Sequence, residues 1–121
     1  EYNALQNEEI TMSKQWMIES AAAMNAAHPD TFLIPSARER HNLRVGDYVK
    51  ITFSSVDQST IPERMWVEVV KVGPGRRYAG RLDNEPFYLT GLQLHDIIAF
   101  KPDHVAGLMP HDVKEGNRHM D

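Results

Sequence analysis

The sequence predicts an α+β domain: an N-terminal amphipathic helix packed on a strongly curved antiparallel sheet of four or five strands, with a small barrel as the closed form of that sheet. Three observations carry this. Residues 8–28, EEITMSKQWMIESAAAMNAAH, place apolar side chains at helical spacing. After residue 47 the apolar residues alternate in short runs, the period of strands with one face turned to a core. Turns rich in Gly and Pro separate those runs.

A chain of 121 residues has the size of one domain. It divides into a helix at 1–28, a connector at 29–47, the sheet at 48–105 and a polar tail at 106–121. In the helix, Ile10, Met17, Ala21 and Met24 form the apolar stripe, with Trp16 beside it. Asn7 suits the N-cap, and Glu8 and Glu9 suit the positive end of the helix dipole. Pro29 disfavours helical geometry at His28 and ends the helix there. The alanines at 21–23, 26 and 27 allow close packing on the sheet; the competing reading offers that face to a partner.

In the connector, Phe32-Leu33-Ile34 reads as a short extended anchor. SARE at 36–39 has capping-box spacing, so Ser36 starts a single helical turn. Gly46-Asp47 turns into the first strand. YVKITF at 48–53 alternates, with Val49, Ile51 and Phe53 on one face. RMWVEVVKV at 64–72 sets Met65, Val67 and Val69 opposite Trp66, Glu68 and Val70. Both faces are partly apolar, as in a central strand. Gly73-Pro74-Gly75 makes a hairpin turn, and RYAGRL at 77–82 returns. Tyr78, Gly80 and Leu82 share one face, Arg77, Ala79 and Arg81 the other, and Gly80 marks a bulge or a close approach of another backbone. DNEP at 83–86 turns the chain, PFYLT at 86–90 is a short segment, and DIIAFK at 96–101 is the last strong strand, ended by Pro102. His104-Val105 is expected to pack back on the sheet. LRVGDYVKI at 43–51 and LQLHDIIAF at 92–100 echo each other; shared turn chemistry around Asp47 and Asp96 explains this as well as duplication does.

Composition excludes several functions. Hydrophobic residues make up 41% and charged residues 25%, which fits a folded domain rather than a disordered chain. The absence of cysteine removes disulfides, thiolate nucleophiles, Cys-ligated zinc and iron–sulfur clusters. It also fits a cytoplasmic location, and an exported protein without cysteine would look the same. No apolar run approaches the ~20 residues of a membrane span. The chain opens on Glu1 rather than Met, so a leader or further domain is expected to have been removed.

The net charge of −4 argues against a general polyanion binder. The charge is uneven, however. Residues 1–30 carry Glu1, Glu8, Glu9, Glu19 and Asp30 against Lys14, whereas residues 71–81 carry Lys71, Arg76, Arg77 and Arg81 with no acid.

The six histidines, at 28, 41, 95, 104, 111 and 119, form neither a helical nor a strand pair of ligands, and neither a metal nor a cofactor is expected. Asp83 and Glu85 share one turn with Asn84; a hydrolytic site would need them to meet His95 or His104 in a pocket. Asp and Asn in turns more often bond their own backbone. No nucleophile elbow, phosphate loop or dinucleotide fingerprint is present. The basic hairpin remains. Arg76, Arg77 and Arg81 beside Tyr78 and Trp66 are the mix used on single-stranded nucleic acid, but alternation puts Tyr78 opposite Arg77 and Arg81. An acidic protein partner and a solvated edge that blocks unwanted strand addition are the other readings.

ERMWVEV, YAGRLDNEP and LQLHDIIAFKPDHV together resemble a family of small bacterial domains of unknown function over residues 43–105. Its pattern is Glu-x-Met/Leu-Trp-Val, Gly-x-Leu-Asn/Asp-Asn-x-Pro, then Gly-Asp-x-Val/Ile-x-Phe with a closing His. Here His95 stands where that pattern has glycine. Glu63, Trp66, Gly80, Asp83, Asn84 and Pro86 match it as structural signatures. The resemblance implies stand-alone proteins or modules attached to repeat proteins, with immunity or accessory roles, and no established reaction. The expectation is therefore a non-enzymatic protein-binding module of immunity, accessory or regulatory role. Lys71, Arg76, Arg77 and Arg81 would meet an acidic partner. Single-stranded nucleic acid and a carboxylate/His hydrolase are the alternatives.

Overall fold

The computed structural model describes residues 15–110. Within them two short helices accompany a six-stranded antiparallel sheet that curls into a nearly closed barrel. The longest pair joins β2 (Tyr48–Ser55) to β3 (Glu63–Val72), in register from Tyr48 opposite Glu68 to Phe53 opposite Glu63. Alternation turns Val49, Ile51 and Phe53 of β2 and Met65, Val67 and Val69 of β3 inward, where all are buried. β4 (Tyr78–Leu82) adds Tyr78 and Leu82, and β5 (Ile97–Phe100) adds Ile98 and Phe100. Each such side chain contributes roughly 1.5–3 kcal/mol by leaving water. β3 lies between β2 and β4, so the expectation of a central strand holds.

The N-terminal helix is corrected. Residues 16–18 are not helical: β1 (Trp16–Ile18) pairs with Phe53–Ser55 of β2. Trp16 and Ile18 pack on the core, the Trp16 ring 5.9 Å from that of Phe53. A ladder along an open strand edge and a large apolar contact together outweigh helical spacing. The helix α1 (Ala21–Ala27) begins only after Ser20, whose Oγ accepts the Ala23 N–H at 3.0 Å. It stops at His28, before Pro29, as expected. Of the predicted stripe, Ala21 is buried, while Met17 and Met24 are exposed. Asn7, Glu8, Glu9 and Ile10 lie outside the described residues.

The single turn α2 (Ala37–Arg40) carries the expected capping box: Ser36 Oγ accepts the Glu39 N–H, and the Glu39 carboxylate accepts the Ser36 N–H. Its Arg40 is 9% exposed and reaches the carbonyls of Pro35 and Pro102 at 3.0 and 3.1 Å. The Tyr78 hydroxyl joins α2 to the barrel, donating to the Arg40 carbonyl at 3.1 Å and accepting the Leu43 N–H.

A second correction concerns the start of the tail. β6 (Gly107–Leu108) pairs with Val49 and Lys50, on the same edge of β2 that β1 occupies farther along, which raises the strand count to six. Val105 and Ala106 just before it are buried, as expected for residues packing back on the sheet. Residues 111–121 lie outside the described part.

Gly80 sits where a Cβ would stand 2.2 Å from Val67 Cγ1. The partner strand β3 shifts register between Val69 and Lys71 beside it. Close approach and bulge therefore coincide at this glycine. The segment 83–96 crosses back toward β1: Leu89 and Leu92 are buried, and Trp16 Nε1 donates to the Gly91 carbonyl at 3.1 Å.

Candidate functional site

The outer face of the sheet mixes polar side chains with Trp66 and Ile97, and the predicted basic hairpin lies at one end of it. Between β3 and β4 the chain turns through a 3₁₀ turn (Pro74–Arg76), closed by the Gly73 N–H donating to the Arg77 carbonyl at 2.8 Å. Gly75 and Arg76 both lie in the left-handed region, at φ +68° and +60°. Lys71, Arg76 and Arg77 are exposed and form no ion pair among the described residues. Arg81 is different. It stands opposite Glu68 on β3 and pairs with its carboxylate at 3.3 Å. The Tyr78–Phe100 register brings Lys101 beside Arg77, which adds a cation that the linear sequence does not put in the hairpin.

The aromatic residues near these cations do not join them. Tyr78 is 2% exposed, inside the barrel. Trp66 is on the outer face, with Lys50 Nζ 4.3 Å from its ring centroid. Partial burial and the nearby charge of Arg64 lower the Lys50 pKa.

The matched motif residues converge on the segment after β4. Both Glu63 oxygens are engaged: they accept the N–H groups of Phe87, Tyr88 and Leu89 at 2.7, 2.8 and 3.0 Å. Asn84 Oδ1 accepts the Trp66 N–H, and the Trp66 carbonyl accepts the Asp83 N–H at 2.9 Å. These bonds hold a loop that displays Phe87, 79% exposed, and Tyr88, 51% exposed, in an edge-to-face pair 4.7 Å apart. Beside it a cleft of about 350 Å³ is lined by polar groups including Gln15, Ser55, Asp57 and Thr90. A hydrogen bond from Ser59 holds the Asp57 carboxyl below its usual pKa. Strand-like alternation would have buried one of the two aromatics; the doublet directly after a turn was the only sequence signal that both are displayed.

Of the two histidines in the hydrolase alternative, the fold brings one near its turn and not the other. His95 is near Asp83, through its N–H donating to the Leu82 carbonyl, but His104 lies at the opposite end of the β4–β5 pair, beyond Phe100. Asp83, Glu85 and His95 do not line the 350 Å³ cleft. Among the described residues no three His, Asp or Glu side chains are placed to hold a metal ion. Of the remaining histidines, His28 caps α1 and His41 Nδ1 lies 2.7 Å from the Ala37 carbonyl, while His111 and His119 are outside the described residues. No helix among those residues is long and apolar enough to cross a membrane.

A family model described as an uncharacterized protein conserved in bacteria (DUF2314) matches residues 11–116. The chain belongs to this family. The match extends well beyond the 43–105 over which the motifs resemble a bacterial domain, and takes in β1, both helices and β6. Comparison with curated proteins and with solved structures gave no significant match. Membership in the DUF2314 family thus brings a fold-sized unit and a bacterial origin for its members, and no reaction.

Proposed function

We propose that this chain is a non-enzymatic protein-binding module that meets an acidic partner through its basic hairpin, in an immunity, accessory or regulatory role. One observation supports the reading above others: Lys71, Arg76 and Arg77 are exposed and form no ion pair among the described residues, on a chain whose net charge is −4. Exposed cations steer an acidic surface into register, although their long side chains lose rotamer freedom when it docks. Arg81 belongs to the same face but must leave Glu68 to engage a partner. In this reading Glu63, Trp66, Gly80, Asp83, Asn84 and Pro86 build the scaffold and do not touch the partner. The module acts in the cytoplasm and needs no cofactor.

The test is charge reversal at Arg76, Arg77 and Arg81, each to Glu, with capture of partners from the source bacterium as the readout. Loss of an acidic protein from the captured set, with an unchanged melting curve, supports the reading. Capture that survives the reversal overturns it.

A further inference from the structure

We propose that the recess bounded by Arg77, Lys101 and His104 is an oxyanion subsite that takes one carboxylate or phosphate group. It deepens the reading above and rests on it in one respect: the partner's own carboxylate would be the group bound.

Three donor-bearing residues line this recess from two segments. Arg77 leaves the hairpin turn, while Lys101, just after β5, and His104 bracket the short 3₁₀ turn Pro102–His104. Outward-facing Ala99 and the Tyr78 and Phe100 positions complete the lining. No acid lines the recess. The nearest in sequence, Asp103, faces Arg40, 3.8 Å away. The His104 ring is fixed: its Nδ1 accepts the Lys101 N–H at 3.0 Å, so in the neutral ring the hydrogen is on Nε2, which remains a donor. Nothing among the described residues accepts from it.

The recess has a volume of about 110 Å³ and is open to solvent on one side, which suits a small head group such as a carboxylate or phosphate. A guanidinium, an ammonium and an imidazole N–H are donors only, matched to an acceptor-only group. Burial favours the neutral His104 ring, in which Nδ1 accepts the Lys101 N–H and Nε2 is the donor.

The experiment titrates the protein at low salt with inorganic phosphate in one arm and a short glutamate peptide in the other, following the His104 ring and the Lys101 amide by NMR. Saturable shifts confined to the recess support the subsite. The peptide binding more tightly than phosphate assigns it to a protein carboxylate; the reverse assigns it to a free oxyanion. His104→Ala removes the Nε2 donor and leaves the exposed Lys101 N–H to water, and Arg77→Gln removes the guanidinium. Each should weaken binding by about tenfold, the worth of one charge-assisted hydrogen bond. Arg64→Gln, at the start of β3 and outside both the recess and the hairpin turn, should change it less than about twofold. Absence of saturable shifts in both arms, or wild-type binding by both pocket variants, overturns the subsite. If that happens while charge reversal still abolishes capture, the hairpin face stands without it. If phosphate binds but capture survives the reversal, the subsite stands and the protein-binding reading falls.

Discussion

His95 occupies, at φ +78°, the turn position that Gly46 occupies at φ +97°. The two turns are built alike. Asp47 accepts the Arg44 N–H at 2.8 Å and Asp96 accepts the Gln93 N–H at 2.9 Å; each aspartate also returns its own N–H to the same residue's carbonyl at 3.0 Å. Leu43 and Leu92, just before the turns, are both buried. The repeated nine residues thus encode one turn used twice to start β2 and β5, once with the residue suited to it and once without.

His95→Gly should therefore stabilise the protein. A left-handed conformation costs an L side chain roughly 1–2 kcal/mol, and the greater freedom of glycine in the unfolded chain returns part of that. A net gain of about 0.5–1 kcal/mol is expected in urea unfolding. Gly46→Ala should cost a similar amount. Loss of stability in His95→Gly would mean that its side chain makes a contact worth more than the backbone strain.

The strands were legible because their signal is local. Val49, Ile51 and Phe53, then Met65, Val67 and Val69, alternate over enough residues to show the period, and Gly73-Pro74-Gly75 marks the turn between β3 and β4. β1 was not legible, since three residues cannot display a period and Trp16, Met17 and Ile18 also fit a helical stripe. What makes them a strand is the open edge of β2, 35 residues or more away in sequence. β6, with two residues, hides for the same reason. In the candidate site, the exposure of Lys71, Arg76 and Arg77 follows from alternation and turn position. Lys101 and His104 join Arg77 only through the β4–β5 register, and the display of Phe87 and Tyr88 depends on Glu63, which reaches them across the sheet.

Gly80→Ala should destabilise by about 1–3 kcal/mol, the usual result of forcing a methyl into a packed interior. The new Cβ meets Val67 Cγ1 first, and behind it the Glu68 carbonyl at 3.0 Å and Phe100 Cε1 at 3.1 Å. Val67→Ala in the same chain should recover only part of the loss, because the backbone carbonyl cannot withdraw. Full recovery in a double-mutant cycle would show that the side-chain clash alone required the glycine.

Glu63→Gln tests the loop anchor. An amide has one acceptor oxygen where the carboxylate offers two, so three N–H groups compete for half of the original set. The expected cost is about 1.5–3 kcal/mol, with faster hydrogen exchange and proteolytic nicking confined to residues 86–90. Unchanged exchange at Phe87, Tyr88 and Leu89 would show that packing of Leu89 holds the loop without the carboxylate.

His104 should give the protein a pH-dependent component of stability with a definite sign. Burial, first, and the charge of Lys101 lower its pKa, while Asp103 opposes them; Arg77 also borders the recess it faces. The folded state thus keeps this ring neutral at a pH where the unfolded chain has taken up a proton. Stability should fall as pH drops from the ordinary histidine range, near 6.5, toward the lower folded-state value, and the contribution should level off below it. The difference in unfolding free energy between wild type and His104→Asn isolates this component from the other histidines. It should shrink on acidification over that interval, and a difference that grows instead would mean that imidazolium is the form the folded protein prefers.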